Sequence, residues 1–416
     1  MNSIQEHGRI KTVYQQTEKY ERLSLVSWEK HWDNDIGEDV WGYYASFKIG
    51  AEWVDEQESL VVTTKRGMEN IDFLDMFMTC FSSNLAIESF SEIYSIHADQ
   101  PTINAPSLKG VITPLIVLHF VGVVNRIKTL KKGYVHRSEN LRKVKGRIRI
   151  LRNERTNIAL RRYDRIYCEY NEYSVDIPEN RILKKALLFA QRMLSAMQSH
   201  HSYDTIHQKI AKTLALFENV SSDVEIRDIK FIKSHKLFKD YAEAIRLAKQ
   251  VLSHFDYSIN KVSDSGNGVV PFVLDMSLLY EHYVYGLLYE AYNENITYQF
   301  NGATGYPDFL YSSNGFKAIL DTKYIPKYDN EPLDTYVIRQ LSGYGRDLAI
   351  LKRLGYDGIT EESPTPSIPC VIIYPEESDK VKNPFKGKRL SELCTNRVRR
   401  LSQFYKISIP IPIISK

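Results

Sequence analysis

The dipeptide Asn314-Gly315, in the stretch "YSSNGFKA", is the feature that most constrains how this chain folds. Asn and Gly best tolerate the positive φ angles that both central positions of a type I′ turn require, so the dipeptide predicts a two-residue β-hairpin. In such a hairpin Ser313 pairs with Phe316. All cross-strand partners then have residue numbers that sum to 629, which fixes the register of both strands.

This register places two acidic residues, Asp308 and Asp321, directly opposite each other. Opposed side chains in an antiparallel pair have Cβ atoms about 4.5–5.5 Å apart, and like charges at that distance are destabilising. The alternation of a β-strand puts Lys323 on the same face as Asp321. A divalent cation, Mg²⁺ or Mn²⁺, would relieve the repulsion, because both prefer oxygen ligands. The alternative is a surface hairpin with its acids in water and one of them paired with Lys323.

Three further residues fall in register with these acids. Glu281 lies at the flank of the apolar stripe of a predicted helix, Met276–Tyr292, from where its carboxylate would reach a metal directly or through water. Gln340 and Tyr344 are four residues apart and share one face of the following helix. Both are hydrogen-bonding groups suited to orienting the strand or a phosphate, although ordinary surface roles also fit all three residues.

The charge of the chain is unevenly distributed. Its net charge is +4, yet residues 126–165 contain fifteen Lys or Arg and three acids, a local balance of +12. Residues 380–406 add nine Lys or Arg against one acid. Such segregation is typical of polyanion binding, whereas the alternative is two solvated faces.

The order of predicted elements divides the 416 residues into three domains. Residues 1–125 mix short strands with apolar helical stretches and predict an α+β domain. Residues 126–262 begin with the basic strands and continue as a helical middle region. Residues 263–416 follow the linker-like "SDSGNG" and predict an α/β domain, in which helices flank a mixed central sheet in the order α-β-β-β-α-β. Its helices are predicted over 335–354 and 389–404.

The ordered set of a helix glutamate, "YPDFL", "LDTKY" and "QLSGY" resembles the PD-(D/E)xK, or restriction-endonuclease-like, superfamily of nucleases. The segments "KGRIRI", "DIPENRILKKAL", "FVLDMSLLYEHYVYGLL" and "VIIYPEE" extend the resemblance to the McrC family, the nuclease subunit of McrBC-type modification-dependent restriction systems. It covers roughly 134–374. The region that contains "VVTTKRGM" is similar to the family's amino-terminal part, with "TTK" where the family has a proline-lysine pair.

The resemblance implies a Mg²⁺-dependent DNA endonuclease that works with an McrB-like AAA+ GTPase hexamer. The ring would select and translocate modified double-stranded DNA, and residues 1–125 would bind it and stimulate GTP hydrolysis. Asp308, Asp321 and the Thr322 carbonyl would hold one or two metal ions, with Glu281 completing or supporting the site. Lys323 would orient water or neutralise developing charge, while Gln340 and Tyr344 would position the backbone.

Two other functions remain open: a stand-alone PD-(D/E)xK nuclease of repair or recombination, and a non-catalytic activator of an AAA+ ring. The chain has no GxxxxGK[ST] motif, so this chain itself is expected to bind no nucleotide. Its polar start, MNSIQEHGRI, lacks the apolar core of a signal peptide. The apolar run Val111–Val124 is short for a membrane span and contains Pro114 and His119. The sequence therefore predicts a soluble, cytoplasmic protein.

Overall fold

The structure is a computed structural model that describes residues 2–10, 17–33, 37–80, 90–97, 100–196, 204–225, 239–260, 268–313, 315–325, 334–377 and 383–414. The chain divides into two compact units. One contains residues 1–118 together with 263–416, and the other contains residues 119–262. The predicted linker Ser263–Gly268 lies, apart from Gly268, outside the described residues.

The amino-terminal part of the first unit is built on a five-stranded sheet. Its strands lie in the order β1 (Asn2–Gln5), β5 (Ser59–Thr63), β4 (Lys48–Trp53), β12 (Phe272–Asp275) and β6 (Tyr94–Ile96). Strand β1 runs parallel to β5, and the other pairs are antiparallel. The amino-terminal elements are β1 (Asn2–Gln5), α1 (Thr17–Tyr20), β2 (Val26–Asp33), β3 (Glu38–Ala45), β4 (Lys48–Trp53), β5 (Ser59–Thr63), α2 (Phe73–Cys80), β6 (Tyr94–Ile96) and β7 (Ile103–Asn104).

One strand of this sheet comes from the far side of the sequence. Strand β12 (Phe272–Asp275) lies between β4 and β6, and Val273 packs in one core with Leu60 and Val62 of β5. A second short contribution, β11 (Gly268–Val269), pairs with β7. The amino-terminal sheet is therefore completed by residues that the sequence pattern placed in the third domain. No local pattern signals this pairing, because its partners are more than 170 residues apart.

The second unit contains the basic section and the helical region. Strands β8, β9 and β10 form a three-stranded antiparallel sheet in the order β8-β10-β9, and the helices predicted for the middle region follow it. The elements are β8 (Gly133–Leu141), β9 (Arg147–Ile148), α4 (Ile150–Asn153), β10 (Ile166–Ser174), α5 (Pro178–Ala196), α6 (Asp204–Leu216) and α7 (Lys239–Asn260). Helix α3 (Lys109–Asn125) precedes them along the chain.

The carboxy-terminal part of the first unit is a six-stranded sheet in the order β13-β14-β15-β16-β18-β17. Strands β15, β16 and β18 run parallel and the remaining pairs are antiparallel, so the sheet is mixed, as predicted. The elements are α8 (Met276–Tyr292), β13 (Ile296–Tyr298), β14 (Phe309–Ser313), β15 (Phe316–Thr322), α9 (Thr335–Tyr344), α10 (Leu348–Arg353), β16 (Cys370–Glu377), α11 (Leu390–Leu393), β17 (Asn396–Arg397) and β18 (Phe404–Ile411).

The hairpin register predicted from the turn is confirmed. Strands β14 and β15 pair from Ser313↔Phe316 to Phe309↔Leu320, and every pair obeys the predicted sum. Gly315 has a φ of +98°, in the region that favours glycine, while Asn314 lies outside the described residues. Ile319 faces a core with Leu341 and other side chains of α9 and α10, which covers one face of the sheet.

Two predicted helices differ from the structure. The single helix expected over 335–354 is two helices, because Asp347 accepts hydrogen bonds from the amides of Ala349 and Ile350 and so starts α10 as its N-cap. The prediction of a basic helix over 389–404 is wrong. That stretch holds only α11 and the short strand β17, and its many basic residues face solvent without an apolar stripe that would bury a helix.

The apolar helix α3 is longer than its apolar core suggested. With the turn before it, residues 106–125 are long and apolar enough by composition to cross a membrane. However, 76% of the most apolar 18-residue stretch is buried inside the protein.

The close approach of β12 to β4 favours glycine at position 50. Gly50 has a φ of +147°, and a Cβ atom there would lie 2.0 Å from the carbonyl oxygen of Phe272. We expect Gly50→Ala to lower the free energy of unfolding by roughly 3 kcal/mol, through the clash and the backbone strain. Urea unfolding followed by circular dichroism would measure this loss.

Gly110, in helix α3, is the matched control. It has a helical backbone, and an added Cβ would meet no atom within 4 Å. Gly110→Ala should therefore leave stability unchanged or raise it by about 0.5–1 kcal/mol. Equal stability of Gly50→Ala and the wild type would contradict the close approach of β12.

Candidate active site

Asp321 lies near the end of β15, a central strand of the six-stranded sheet. Asp321 is only 1% exposed, and it pairs in register with Ile372 of β16. Burial raises the pKa of the Asp321 carboxyl group, and the nearby Lys323 ammonium opposes this rise. The Lys323 Nζ lies 2.5 Å from the Asp321 Oδ2, which confirms that the two side chains share one face.

Asp308 directly precedes β14, one residue beyond the last pair of the ladder. Its Oδ2 accepts hydrogen bonds from the Thr322 amide at 2.6 Å and from the Thr322 hydroxyl at 2.5 Å. Strict alternation places Thr322 on the face opposite Asp321, but Asp308 lies outside the paired strand and is free of that alternation. The Asp308 carboxyl group is therefore bound to Thr322, the last residue of β15.

The charges of the cluster act on one another. Burial raises the pKa of Asp308 well above its usual range, and the negative charges of Asp321 and Glu281 raise it further, while the Thr322 hydrogen bonds oppose the rise. The predicted juxtaposition of two acids is thus present as an electrostatic interaction between the half-buried Asp308 and the buried Asp321. A carboxyl group under these conditions gains most from a nearby cation.

Glu281 projects from α8 and is 8% exposed. Burial raises the pKa of its carboxyl group, hydrogen bonds from Gln299 and Tyr298 lower it, and Asp321 raises it again. Its Oε1 accepts a hydrogen bond from the Gln299 Nε2 at 2.8 Å. The structure therefore places Glu281 within electrostatic reach of both aspartates but holds it through a side-chain amide.

Gln299 is a residue of this site that the sequence pattern missed. Its backbone N–H donates to the Asp308 carbonyl at 2.9 Å while its side chain binds Glu281, so it joins the glutamate to the strand that carries Asp308. Its φ of +43° is uncommon for a residue other than glycine and marks a locally constrained backbone. The sequence gives no distinctive signal for Gln299, because a single glutamine at the end of a short strand forms no recognisable motif.

Gln340 and Tyr344 act together on the backbone that leads to Asp308. The Gln340 Nε2 donates to the Tyr344 hydroxyl at 2.9 Å, and that hydroxyl donates to the Tyr306 carbonyl at 3.1 Å. Tyr344 is 3% exposed, and burial raises the pKa of its phenol. Both residues are therefore placed to orient the chain two residues before Asp308.

The donor set fits a hydrated divalent cation rather than a closed metal cage. Within the described residues, no group of three or more His, Cys, Asp or Glu side chains is placed to hold a metal ion. Mg²⁺, however, usually keeps several waters and is held by one or two carboxylates together with substrate phosphates. Two mutually repelling aspartates, of which Asp321 is buried and Asp308 half-buried, meet that requirement.

The mixed sheet and its cluster of carboxylates and lysine define an α/β protein with a candidate acid–lysine centre. A family model described as "McrBC 5-methylcytosine restriction system component" matches residues 103–344, which is more than half of the 416 residues. The chain belongs to this family, as the motifs predicted. The matched range contains all the candidate site residues: Glu281, Asp308, Asp321, Thr322, Lys323, Gln340 and Tyr344.

Two solved structures are similar to the chain at low identity. One is a refined half-complex from a tetradecameric assembly of Thermococcus gammatolerans McrB AAA+ hexamers with bound McrC, at 14% identity and a TM-score of 0.34, covering 99% of this chain and 95% of that one. The other is the cryo-EM structure of the Thermococcus gammatolerans McrBC complex, at 13% identity and a TM-score of 0.31, covering 69% and 86%. No curated protein matches the chain.

The repulsion at Asp308 predicts that its neutralisation stabilises the metal-free protein. We expect Asp308→Asn to raise the free energy of unfolding at pH 8 in chelator by roughly 1 kcal/mol, because it removes a half-buried, repelled charge and keeps a similar shape. Differential scanning calorimetry in EDTA would measure the change.

Asp347 provides a control of opposite sign. Burial raises the pKa of its carboxyl group, but hydrogen bonds from the amide and hydroxyl of Thr304 and from the amides of α10 outweigh it, so that the pKa is lowered. Asp347→Asn should therefore destabilise the same protein. A loss of stability in Asp308→Asn would contradict the repulsive cluster.

Proposed function

We propose that this chain is the DNA-cutting subunit of an McrBC-like restriction system, a Mg²⁺-dependent endonuclease of the PD-(D/E)xK type in which Mn²⁺ also functions. The observation that supports this most is the cluster of Asp308, Asp321 and Lys323 at the end of β15, where the half-buried Asp308 and the buried Asp321 repel each other beside a lysine. Membership of the McrBC family adds the restriction context.

Each residue of the candidate site has a separate role in this reaction. Asp308, Asp321 and the Thr322 carbonyl would hold one or two Mg²⁺ ions, and Glu281 would support them. Bound Mg²⁺ supplies polarisation of the scissile phosphate and a lowered pKa for the attacking water. Lys323 orients that water or neutralises the charge that develops on the phosphate.

Gln340 and Tyr344 support the site from helix α9. Through the Tyr306 carbonyl they fix the backbone before Asp308, which keeps the aspartate at the strand end. Fixed positions of this kind matter for a hydrolytic site, because small displacements of reacting groups lower rates strongly.

The partner in this proposal is an McrB-like AAA+ GTPase hexamer. The similar structures contain McrB AAA+ hexamers with bound McrC, and this chain carries no nucleotide-binding GxxxxGK[ST] motif of its own. The ring selects and translocates modified double-stranded DNA. The amino-terminal region, 1–125, binds the ring and stimulates GTP hydrolysis.

The basic section of the second unit supplies contacts to the DNA backbone. Arg142, Lys143, Arg161 and Arg162 are exposed and form no ion pair with the described residues. Contacts of lysine and arginine with phosphates give affinity without sequence preference, which suits a subunit that leaves target choice to its partner.

Removing one site residue tests the nuclease assignment. We expect Asp308→Ala or Lys323→Ala to lower the rate of DNA cleavage by the complete complex by about 100-fold or more, because each removes a group that stabilises charge in the transition state. Cleavage of modified plasmid DNA with Mg²⁺, GTP and the ring partner is the assay.

GTP hydrolysis in the same samples serves as the control. The Asp308, Asp321 and Lys323 triple-alanine protein should still stimulate the ring, since ring binding is assigned to another region. Undiminished cleavage by either single variant would disprove the site, and cleavage by the wild-type chain without the ring would instead indicate a stand-alone nuclease. Stimulation without any cleavage by the wild type would indicate a non-catalytic activator.

The salt dependence of DNA binding tests the basic section. Replacing Arg142, Lys143, Arg161 and Arg162 by alanine should weaken binding at all sequences and reduce the slope of log K against log salt by about 0.9 per lost phosphate contact. Fluorescence anisotropy over a series of salt concentrations measures both quantities.

Two basic residues of the same section that are already paired provide the control. Lys145 lies 3.2 Å from Glu172, and Arg149 lies 2.5 Å from Glu169. Their replacement by alanine should change the slope less, because their charge is already neutralised. Equal slopes for the quadruple variant and the wild type would contradict DNA binding by this section.

A further inference from the structure

Lys65 connects the amino-terminal sheet to the strand that carries the candidate site. It follows β5, and its Nζ donates to the backbone carbonyl of Tyr324 at 2.5 Å. The same Nζ lies 3.4 Å from the centroid of the Tyr324 ring, a cation–π contact. Tyr324 is the residue directly after Lys323.

The residues around the contact are mostly buried, while Lys65 itself is half-buried. Tyr324 is 3% exposed, and its ring lies 6.0 Å from that of Tyr280, the residue before Glu281 on α8. Glu6, which is 4% exposed, accepts a hydrogen bond from the Lys65 amide at 3.0 Å. The lysine thus meets a carboxylate on its own side and the end of β15 on the other.

Backbone hydrogen bonds lie on either side of this contact. The Lys323 amide donates to the Ile373 carbonyl at 2.9 Å, next to Thr322↔Ile373, the final pair in the register of β15 and β16. After it, the Ile325 amide turns back to the Lys323 carbonyl at 2.7 Å. The Lys65–Tyr324 hydrogen bond therefore holds the chain at the point where β15 leaves the sheet.

A lysine in this position costs free energy that an apolar side chain would not. Burial lowers the pKa of Lys65 to about 8 and raises the pKa of Glu6 to about 7, so both groups are desolvated. Replacing buried ionic pairs by apolar residues is often neutral or stabilising. Stability alone therefore gives little reason for this arrangement, whereas a fixed position for the end of β15 does.

We propose that Lys65 is a positioning residue of the candidate active site: by binding the carbonyl and ring of Tyr324, it fixes the end of β15 and with it the side chain of Lys323. The inference rests on the proposed nuclease function. It also assigns the amino-terminal part of the unit a direct part in cutting, because Lys65, two residues after the end of β5, holds the site in place.

Three variants separate positioning from simple stability. Lys65→Met keeps the length and apolar stem but loses the charge and the hydrogen bond. Lys65→Arg keeps both. The double variant Glu6→Gln with Lys65→Met removes the carboxylate that the single variant leaves buried without its lysine, so any folding defect caused by that charge is relieved.

The first readout is the rate of cleavage by the full chain with its ring partner. Lys65→Met should cut about tenfold more slowly at saturating DNA, the effect of losing one hydrogen bond from a charged group, with DNA affinity and ring binding unchanged. Lys65→Arg should recover most of the rate. The double variant should remain slow although it folds.

The second readout does not depend on cleavage. Amide hydrogen exchange, followed by mass spectrometry on peptides that cover 319–325, reports on the amides of Lys323 and Ile325. Exchange at these amides should be about tenfold faster in Lys65→Met and in the double variant, and close to the wild-type rate in Lys65→Arg.

The outcomes distinguish the two proposals. One outcome is that the double variant matches the wild type in both cleavage rate and amide exchange. In that case the defect of Lys65→Met came only from the Glu6 carboxylate left buried without its lysine, and the positioning role is overturned. Wild-type cleavage and exchange in Lys65→Met would overturn it as well. If exchange changes as expected while the wild type never cuts DNA, the anchoring of β15 stands and the nuclease function is what fails.

Discussion

The repulsion between two carboxyl groups, those of the half-buried Asp308 and the buried Asp321, is the constraint on which this structure depends. The register of β14 and β15 brings Asp308 and Asp321 together, and burial leaves little water to screen them. The surrounding contacts each offset part of the cost: Lys323 pairs with Asp321, and Thr322 donates twice to Asp308. Such a cluster is unfavourable for folding and suitable for binding a cation, which is the usual balance at a functional site.

The position of the site could be predicted because a two-residue turn specifies every pair that follows it. Asn314-Gly315 fixed the register, and the register placed Asp308 against Asp321 without any tertiary information. The Thr322 and Gln299 contacts were not predictable in this way. Both depend on backbone beyond the ends of the paired strands, where alternation no longer tells which way a side chain points.

The fold was predictable where pattern and local structure coincide. Helix Met276–Tyr292 has the bounds that its apolar stripe indicated, and the strands of the carboxy-terminal sheet lie close to their predicted positions. The break at Asp347 and the loss of the helix over 389–404 reflect capping and burial, which override helical composition. The placement of β12 was beyond reach, since a four-residue strand does not reveal a partner far away in sequence.

That placement has a consequence for how the protein is made. Strand β6 ends at residue 96, but its neighbour in the sheet, β12, begins at residue 272. At ribosomal speeds of 5–20 residues per second, the amino-terminal sheet waits on the order of ten to thirty seconds for the strand that completes it. During that interval the edges of β4 and β6 are exposed in the nascent chain. The ring-binding region proposed for this protein therefore matures only when the ribosome has reached the helix that carries Glu281.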